Sequence, residues 1–174
     1  GGCGGMTEVA RAGAKGRGTS ATEPAVPRWA VPASLALALV GLGLSTYLTI
    51  EHFTNPGSLA CPVGGAVDCA QVTTSAQSKF LFIPVAVLGI VFFVAMLALC
   101  LPTLWRRSDR RLWQARMAVA GLGVLFVIYL IFAELFIIEA FCLWCTAVHL
   151  VTFGLFAVVV LATAVADPSP FDRR

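Results

Sequence analysis

The chain has 174 residues, of which 59% are hydrophobic and 12% are charged, and its mean hydropathy is +0.88. Soluble globular domains carry about 25% charged residues, so this composition excludes an ordinary soluble domain and indicates a lipid-facing surface. The formal net charge of +3 is compatible with nucleic acid as a partner, but the placement of the basic residues indicates membrane topology instead.

Residues 1–27 are rich in Gly, Ala, Thr and Pro and predict a disordered tail, in which Cys3 has no native role. Four runs without Asp, Glu, Lys or Arg follow, at residues 29–50, 80–105, 117–133 and 140–166. About 20 apolar residues span the hydrocarbon core as a helix, and a spanning segment must satisfy its backbone groups internally. We therefore predict an all-α integral membrane protein.

The predicted membrane domain covers residues 28–166 and is a bundle of four transmembrane helices. The predicted spans are about residues 30–52, 81–104, 116–138 and 142–165. Residues 167–174 form a second short tail.

The basic residues predict the orientation of these helices. All 12 Lys and Arg residues except Lys79 fall before the first predicted helix, between the second and third, or after the fourth. Lys and Arg accumulate in the loops that remain in the cytoplasm. We expect both termini and the Arg-rich loop to be cytoplasmic and residues 53–79 to lie outside. Topology alone explains the basic loop, although a patch for nucleic acid or anionic lipid is the competing interpretation.

Four of the six cysteines fall on the predicted outer side. Cys61 and Cys69 lie in a Pro- and Gly-containing loop, and Cys142 and Cys145 form a Cys-Leu-Trp-Cys motif where the fourth helix begins. On a helix, Cys142, Cys145 and His149 share one face. A helix N-terminus also stabilises a thiolate. The pattern predicts redox-active thiols with a polar group one turn deeper, which suits a lipid-soluble redox partner.

Two other classes of protein are compatible with these residues. Either cysteine pair could be an inert disulfide in a structural membrane protein, because disulfides persist outside the cytoplasm. The four cysteines with His149 or His52 could instead hold zinc or copper in a membrane metal-binding protein. The wide separation of Cys61 and Cys69 counts against a ligand pair, and no metal is predicted.

Four further residues have expected places in the bundle. Cys100, at the inner end of the second helix, is expected to be a small buried hydrophobe. Glu134 is an acid inside the third predicted helix, where it should either hold a proton or pair with a polar group of the first helix. Glu139 and Glu51 near the outer interface are expected to be solvated.

Four stretches of the sequence carry a family resemblance. Residues 41–53 read Gly-Leu-Gly-Leu-Ser-Thr-Tyr-Leu-Thr-Ile-Glu-His-Phe, and Cys69 is followed by Ala-Gln-Val-Thr-Thr-Ser75. Residues 82–89 read Phe-Ile-Pro-Val-Ala-Val-Leu-Gly, and residues 141–146 read Phe-Cys-Leu-Trp-Cys-Thr. In this ordered set, over about residues 33–166, the chain resembles the bacterial branch of the vitamin K epoxide reductase family.

The resemblance implies a four-helix bundle around a quinone, which would be menaquinone or ubiquinone. A short extra helix near residues 69–77, in the outer loop, would lie over the outer opening of the bundle. Ser75 matches the family's serine near the site. His149 falls where family members place a residue that hydrogen-bonds the quinone carbonyl.

The resemblance also implies roles for the cysteines. Cys142 and Cys145 would be the active-site pair, with Cys145 facing the quinone, and Cys61 and Cys69 would be the shuttle pair. Cys61 would meet the partner's thiol, and Cys69 would exchange with Cys142. The chain would then be a quinone-dependent thiol oxidoreductase of the bacterial inner membrane that generates disulfides in an extracytoplasmic partner.

The partner implied by the resemblance is a DsbA-like protein of the thioredoxin fold. Many bacterial members carry a fused thioredoxin-like domain after the last helix, whereas here eight residues follow position 166, so a separate partner is expected. Reduction of vitamin K epoxide or quinone as the main reaction is the alternative within the enzyme class.

Overall fold

A computed structural model describes residues 27–54, 59, 61, 67–105, 107 and 109–166. The predictions for Cys3 and for most of both tails concern residues 1–26 and 167–174, which lie outside the described residues. Residues 62–66, between Cys61 and Cys69, also lie outside the described residues.

The described chain is almost entirely helical. Its α-helices are α1 (Ala30–Thr54), α2 (Cys69–Thr74), α3 (Val85–Leu99), α4 (Pro102–Trp105), α5 (Arg110–Ala133) and α6 (Leu143–Ala166). A 3₁₀ turn covers Ala76–Ser78, and a π-helical turn over Glu134–Ile138 extends α5. A two-stranded antiparallel hairpin, β1 (Lys79–Phe80) and β2 (Ile83–Pro84), precedes α3 and pairs Lys79 with Pro84.

Three helical stretches in the described residues are long and apolar enough to cross a membrane, which makes this an all-α membrane protein. They are Ala30–Thr54, Arg110–Ile138 and Leu143–Val165. Helix α3 has 15 residues and so measures about 22 Å, whereas the hydrocarbon core is about 30 Å thick.

Helices α3 and α5 begin at positions that differ from the predicted spans. Residues 81–84 belong to the hairpin, so α3 starts at Val85, and it ends shortly before Pro102, which disfavours helical backbone at the preceding residue. Helix α5 starts at Arg110 instead of near residue 116. The reason is a cap, because Asp109 Oδ1 accepts a hydrogen bond from the backbone N–H of Arg111 at 2.8 Å.

Small residues let the helices approach closely. Helix α1 packs against α3 and α6, and α5 packs against α6 and α3. Gly41 of α1 stands against the ring of Phe93, and a Cβ on Gly89 of α3 would lie 2.7 Å from Ser45 Oγ. Interfaces of this kind are typical of membrane helices, because association there depends on van der Waals contact instead of hydrophobic burial.

The outward faces of the helices are apolar. Leu39, Leu122, Leu125 and Leu150 are each more than half exposed, as expected for side chains that meet lipid. Hydroxyl groups within the helices bond back to their own backbone, as Thr152 Oγ1 does to the Val148 carbonyl at 2.9 Å.

The end of the bundle where α5 begins, the arginine end, carries a buried cluster. Arg116 is 3% exposed, its Nε donates to the Leu99 carbonyl at 2.8 Å, and its guanidinium lies 4.1 Å from the centre of the Trp105 ring. Cys100 is free and buried in the same core, in the place expected for a small hydrophobe. The opposite end, where α1 ends and α6 begins, is the cysteine end.

Candidate functional site

Cys142 occupies the N-cap position of α6. Its carbonyl accepts hydrogen bonds from the backbone N–H and the hydroxyl of Thr146, each at 2.9 Å, which close the first turn of the helix. Its sulfur accepts a hydrogen bond from the backbone N–H of Cys145 at 3.3 Å, as the side-chain oxygen of an ordinary cap residue does. The Cys-Leu-Trp-Cys motif therefore forms the start of the helix.

This position affects the acidity of Cys142, which precedes the membrane-spanning part of α6. The pKa of the Cys142 thiol is lowered from its ordinary value, chiefly by a hydrogen bond from the Cys145 thiol. The backbone N–H groups of Cys145 and Trp144 act in the same direction. Because a thiol of lower pKa leaves a disulfide more readily, the lowered pKa would favour the departure of Cys142 in a disulfide exchange.

Cys61 and Cys69 are joined by a disulfide with Cα atoms 6.2 Å apart, within the ordinary range for such bonds. Cys69 is the first residue of α2, and Asp68 caps this helix by accepting a hydrogen bond from the backbone N–H of Gln71 at 2.9 Å. The cap orients the turn on which Cys69 stands.

Helix α2 is attached to the connection between α5 and α6. The backbone N–H of Asp68 donates to the Phe141 carbonyl at 3.1 Å, and Val67 pairs with Phe141 in a parallel bridge. Gln71 Nε2 donates to the carbonyl of Ile138, the last residue of the π-helical turn, at 3.2 Å. These bonds hold the first turn of α2 beside the first turn of α6.

The attachment brings the cysteines into one packed group. Cys69 and Cys142 are 1% and 0% exposed and belong to one buried apolar cluster with Val72 and Ala140. Cys61 and Cys145 pack against the same cluster. The disulfide and the Cys142–Cys145 pair, separated by more than 70 positions in the chain, are thus neighbours in the fold.

A cavity of about 620 Å³ opens directly below this cluster, between α1, α3, α5 and α6 and under α2 and the hairpin. Cys145, His149 and Ser75 line it, whereas Cys142, Cys61 and Cys69 do not. His149 is buried one turn beyond Cys145, as the spacing predicts. The Ser75 hydroxyl donates to the Val72 carbonyl at 2.8 Å.

The chemistry of the walls fits a quinone. They are dominated by apolar side chains, and the polar groups on them come from separate elements: Ser45 and His52 of α1, Thr73 of α2, Ser75, Gln77 and Ser78 after α2, Glu134, and His149 and Thr152 of α6. An isoprenoid quinone has an apolar tail and a ring with two carbonyl oxygens. A cavity of this size, apolar with a few convergent polar groups, is typical of a site for a small apolar ligand.

The hairpin covers one flank of the cavity. Phe80 packs edge-on against Phe126 of α5, with ring centroids 5.5 Å apart, and also contacts Tyr129. Leu81 and Phe82 at the tip have φ of 50° and 69°, the positive values that a two-residue hairpin turn of this type requires. Their side chains are 75% and 97% exposed.

The structure adds residues to the site that the sequence interpretation left without a role. Asp68 and Gln71 could have been recognised, because a potential cap residue three positions before Gln is a known helix start. His52 was considered only as a metal ligand, yet it lines the cavity. Glu139 is exposed, as expected for a solvated side chain, whereas Glu51 is half-buried.

The metal-binding alternative requires three or more ligands at one point. Among the residues that the structure describes, no group of three or more His, Cys, Asp or Glu side chains is arranged to hold a metal ion. In this part of the chain, His52 and His149 instead face the cavity together with Cys145.

Comparison with known families agrees with this site. A family model described as the vitamin K epoxide reductase family matches residues 32–160, which include both cysteine pairs and most of the described helices. The family consists in general of quinone-linked thiol oxidoreductases, so the protein is a membrane oxidoreductase of this general class. The chain belongs to the vitamin K epoxide reductase family.

Proposed function

We propose that this protein generates disulfides in a thioredoxin-fold partner and passes the electrons to a membrane quinone. The observation that supports it most directly is that the four cysteines are divided between two environments, a buried protein cluster and an apolar cavity. The Cys61–Cys69 disulfide and Cys142 share one buried cluster, whereas Cys145 lines an apolar cavity. A two-pair relay from a protein partner to a lipid-soluble acceptor requires such an arrangement.

The first exchange takes place at the disulfide. A thiolate of the reduced partner attacks Cys61, the Cys61–Cys69 bond breaks, and the Cys69 thiolate leaves. The partner's second thiol then attacks the mixed disulfide at the partner's own sulfur and releases Cys61. The partner leaves with a new disulfide, and two electrons remain on Cys61 and Cys69 as two thiols.

The second exchange passes the electrons inward. The Cys69 thiol gives up its proton and attacks Cys142 in the Cys142–Cys145 disulfide, and Cys145 leaves and takes up that proton as a thiol. Attack by Cys61 on Cys69 restores the first disulfide and frees Cys142. The tight packing of Cys69 and Cys142 supports this order of attack, because an exchanging thiolate must reach the sulfur that it attacks.

In the last step, Cys142 and Cys145 give two electrons and two protons to the quinone and become a disulfide again. His149 would donate a hydrogen bond at the carbonyl oxygen of the bound quinone, where negative charge develops. Ser75 would form part of the binding surface beneath α2. The acceptor would be menaquinone or ubiquinone, whichever the membrane contains.

The proposed topology has four spans. Helix α3, extended by residues 81–84 and by the chain up to α4, would complete the fourth crossing. The basic residues of the arginine end support a cytoplasmic location for that end in a bacterial inner membrane. The cysteine end, with α2 as the short helix over its opening, would then face outward, where a separate DsbA-like protein meets Cys61.

The proposal is tested with purified protein, a reduced thioredoxin-fold oxidant and a soluble quinone. We expect the wild type to reduce the quinone and oxidise the partner in equal amounts. Cys145→Ala should abolish turnover, because the sulfur that faces the cavity is lost. Cys100→Ala is the matched control, since Cys100 lies in the separate core at the arginine end and should be dispensable.

The other interpretations predict different results. A folded wild type that reduces no quinone with several partners and quinones would contradict the proposal. Stoichiometric zinc or copper lost on substitution of the cysteines would favour a metal-binding protein. Turnover of a vitamin K epoxide much faster than oxidation of the partner would favour the alternative reaction in the same site.

A further inference from the structure

Glu134 is the only carboxyl group on the wall of the cavity in the described part of the chain. It is 6% exposed, and no Lys or Arg is among the described residues that line the cavity. An ionisable side chain inside a membrane is costly and is retained where it serves a function. The relay described above assigns no role to this acid.

The position of Glu134 follows from the helical stripe that faces the cavity. Phe126, Leu130, Glu134 and Ile138 are each four positions apart on α5 and its extension, and all four line the cavity. Glu134 also begins the π-helical turn, which is a rare local geometry often found at functional sites. Glu139 ends this turn with φ of 55°, in the left-handed region.

Glu134 lines the same cavity as Cys145, the inner sulfur of the Cys142–Cys145 pair. The carboxyl group of Glu134 interacts electrostatically with Cys142 and with Cys145. The other titratable groups on the cavity wall are His52 from α1 and His149 from α6. Helices α2 and α3 contribute only apolar, hydroxyl-bearing and glycine residues to that wall.

The reaction requires a proton carrier at this place. When Cys142 and Cys145 form a disulfide, two protons leave the sulfurs together with two electrons, and both protons must reach the oxygens of the acceptor. An apolar cavity offers no bulk water for this transfer, so a side chain that can gain and lose a proton is needed beside the thiol.

We propose that Glu134 carries a proton from Cys145 to the acceptor. Its carboxylate takes the proton of the Cys145 thiol as the sulfur becomes a thiolate, and the resulting carboxylic acid gives that proton to an oxygen of the reduced quinone. Glu134 ends in the state in which it began, and His149 provides the path for the second proton. This inference rests on the proposed function.

The test separates the two half-reactions in wild type, Glu134→Gln, Glu134→Asp and Glu139→Gln. For the first half-reaction, the oxidised protein is mixed with reduced partner in the absence of quinone, and a single turnover of partner oxidation is measured. In the second, steady-state reduction of quinone is followed across pH in water and in deuterium oxide. Glu139→Gln is the matched control, because Glu139 is exposed and does not line the cavity.

Glu134→Gln should leave the first half-reaction unchanged and slow quinone reduction by about 10²-fold, the usual contribution of a positioned acid or base. It should also remove one limb of the pH profile and increase the solvent isotope effect, because the remaining proton transfer becomes rate-limiting. Glu134→Asp keeps a carboxyl group, so its pH profile should retain this limb at a shifted pH. Its rate of quinone reduction should lie between those of wild type and Glu134→Gln. Glu139→Gln should behave as wild type.

Two outcomes would overturn the inference while leaving the proposed function intact. In the first, Glu134→Gln reduces quinone within twofold of wild type and has the same pH profile. In the second, both half-reactions fall equally in Glu134→Gln and in Glu134→Asp, which identifies a structural role. A wild type that reduces no quinone would instead overturn the proposed function itself.

Discussion

The backbone N–H of Cys145 donates a hydrogen bond to the sulfur of Cys142 at 3.3 Å, so that Cys142 caps the helix on which Cys145 stands. The two sulfurs of one motif consequently have different surroundings. Cys142 lies in the buried cluster with Cys69, and Cys145 lines the cavity. In the proposed relay, the helix start thereby separates the sulfur that would exchange with Cys69 from the sulfur that would face the quinone.

This separation predicts the product that accumulates when Cys145 is removed. In Cys145→Ser, part of the protein should carry a Cys69–Cys142 disulfide, because Cys142 can attack Cys69, no Cys145 thiol is present to displace Cys69, and only Cys61 can reverse the linkage. Peptide mass spectrometry under non-reducing conditions measures the linkage, and the partner should stay reduced in cells. Cys142→Ser is the control and should yield little Cys69–Cys145. Equal yields of the two linkages, or normal oxidation of the partner in Cys145→Ser, would contradict the order of attack.

The lowered pKa of Cys142 predicts how its thiolate depends on pH. The thiolate should persist to lower pH than that of an ordinary cysteine, whose pKa is about 8.5. Cys145→Ala removes the hydrogen-bonding thiol, so the pKa of Cys142 should rise and the midpoint should move to higher pH. Thiolate absorbance of the reduced protein, minus that of Cys142→Ser, measures this midpoint. An unchanged midpoint in Cys145→Ala would show that the neighbouring thiol does not stabilise the thiolate.

Asp68 should affect the relay through the stability of α2. Asp68→Ala removes the cap and should cost about 1 kcal/mol, which corresponds to about fivefold in the opening equilibrium of this short helix. Hydrogen exchange of the amides in Cys69–Thr74 should increase accordingly, and exchange between the two cysteine pairs should slow. Asp68→Asn keeps an acceptor oxygen for the Gln71 N–H and should change both quantities little. If Asp68→Ala and Asp68→Asn changed hydrogen exchange and thiol exchange equally, the negative charge of Asp68 and not its hydrogen bond would be responsible.

Two glycines on α1 should differ in their tolerance of a side chain. A Cβ on Gly41 would collide with the ring of Phe93, which is fully buried and has no room to turn, whereas nothing lies within 4 Å of a Cβ on Gly43. Gly41→Ala should therefore destabilise the protein by about 1–3 kcal/mol. Gly43→Ala should be neutral or stabilising, because Ala favours helix. Thermal unfolding in detergent measures both, and equal melting temperatures would contradict the close packing of α1 and α3.

The sequence by itself determined the class of the protein and the start of its last helix. Uncharged runs of about 20 residues indicate helices in lipid whatever their neighbours are, because the bilayer imposes this length on any span. The Cys145–His149 spacing likewise determined a shared helical face, since helical periodicity is a local property, whereas Cys142 precedes the helix and lies in the buried cluster. His149 is accordingly found in the cavity together with Cys145.

Local signals were less reliable where the helix ends depend on caps and turns. The sequence predicted a second span over residues 81–104, but a hairpin takes its first residues and Pro102 limits its end, so α3 is shorter. The third span begins earlier than predicted because Asp109 caps α5. Each difference arises from one side chain or one turn, which the apolar pattern alone does not reveal.

Only the tertiary structure decided which side chains meet. Nothing local in the sequence brings Cys69 to Cys142, since their contact depends on hydrogen bonds from Asp68 and Gln71 to the carbonyls of Phe141 and Ile138. The same holds for Glu134, whose residue type indicates only that an acid lies within a helix. Its place on the cavity wall follows from how α5 packs against α6 and α3. Contacts between segments distant in the chain depend on the packing of the whole bundle, which no single helix encodes.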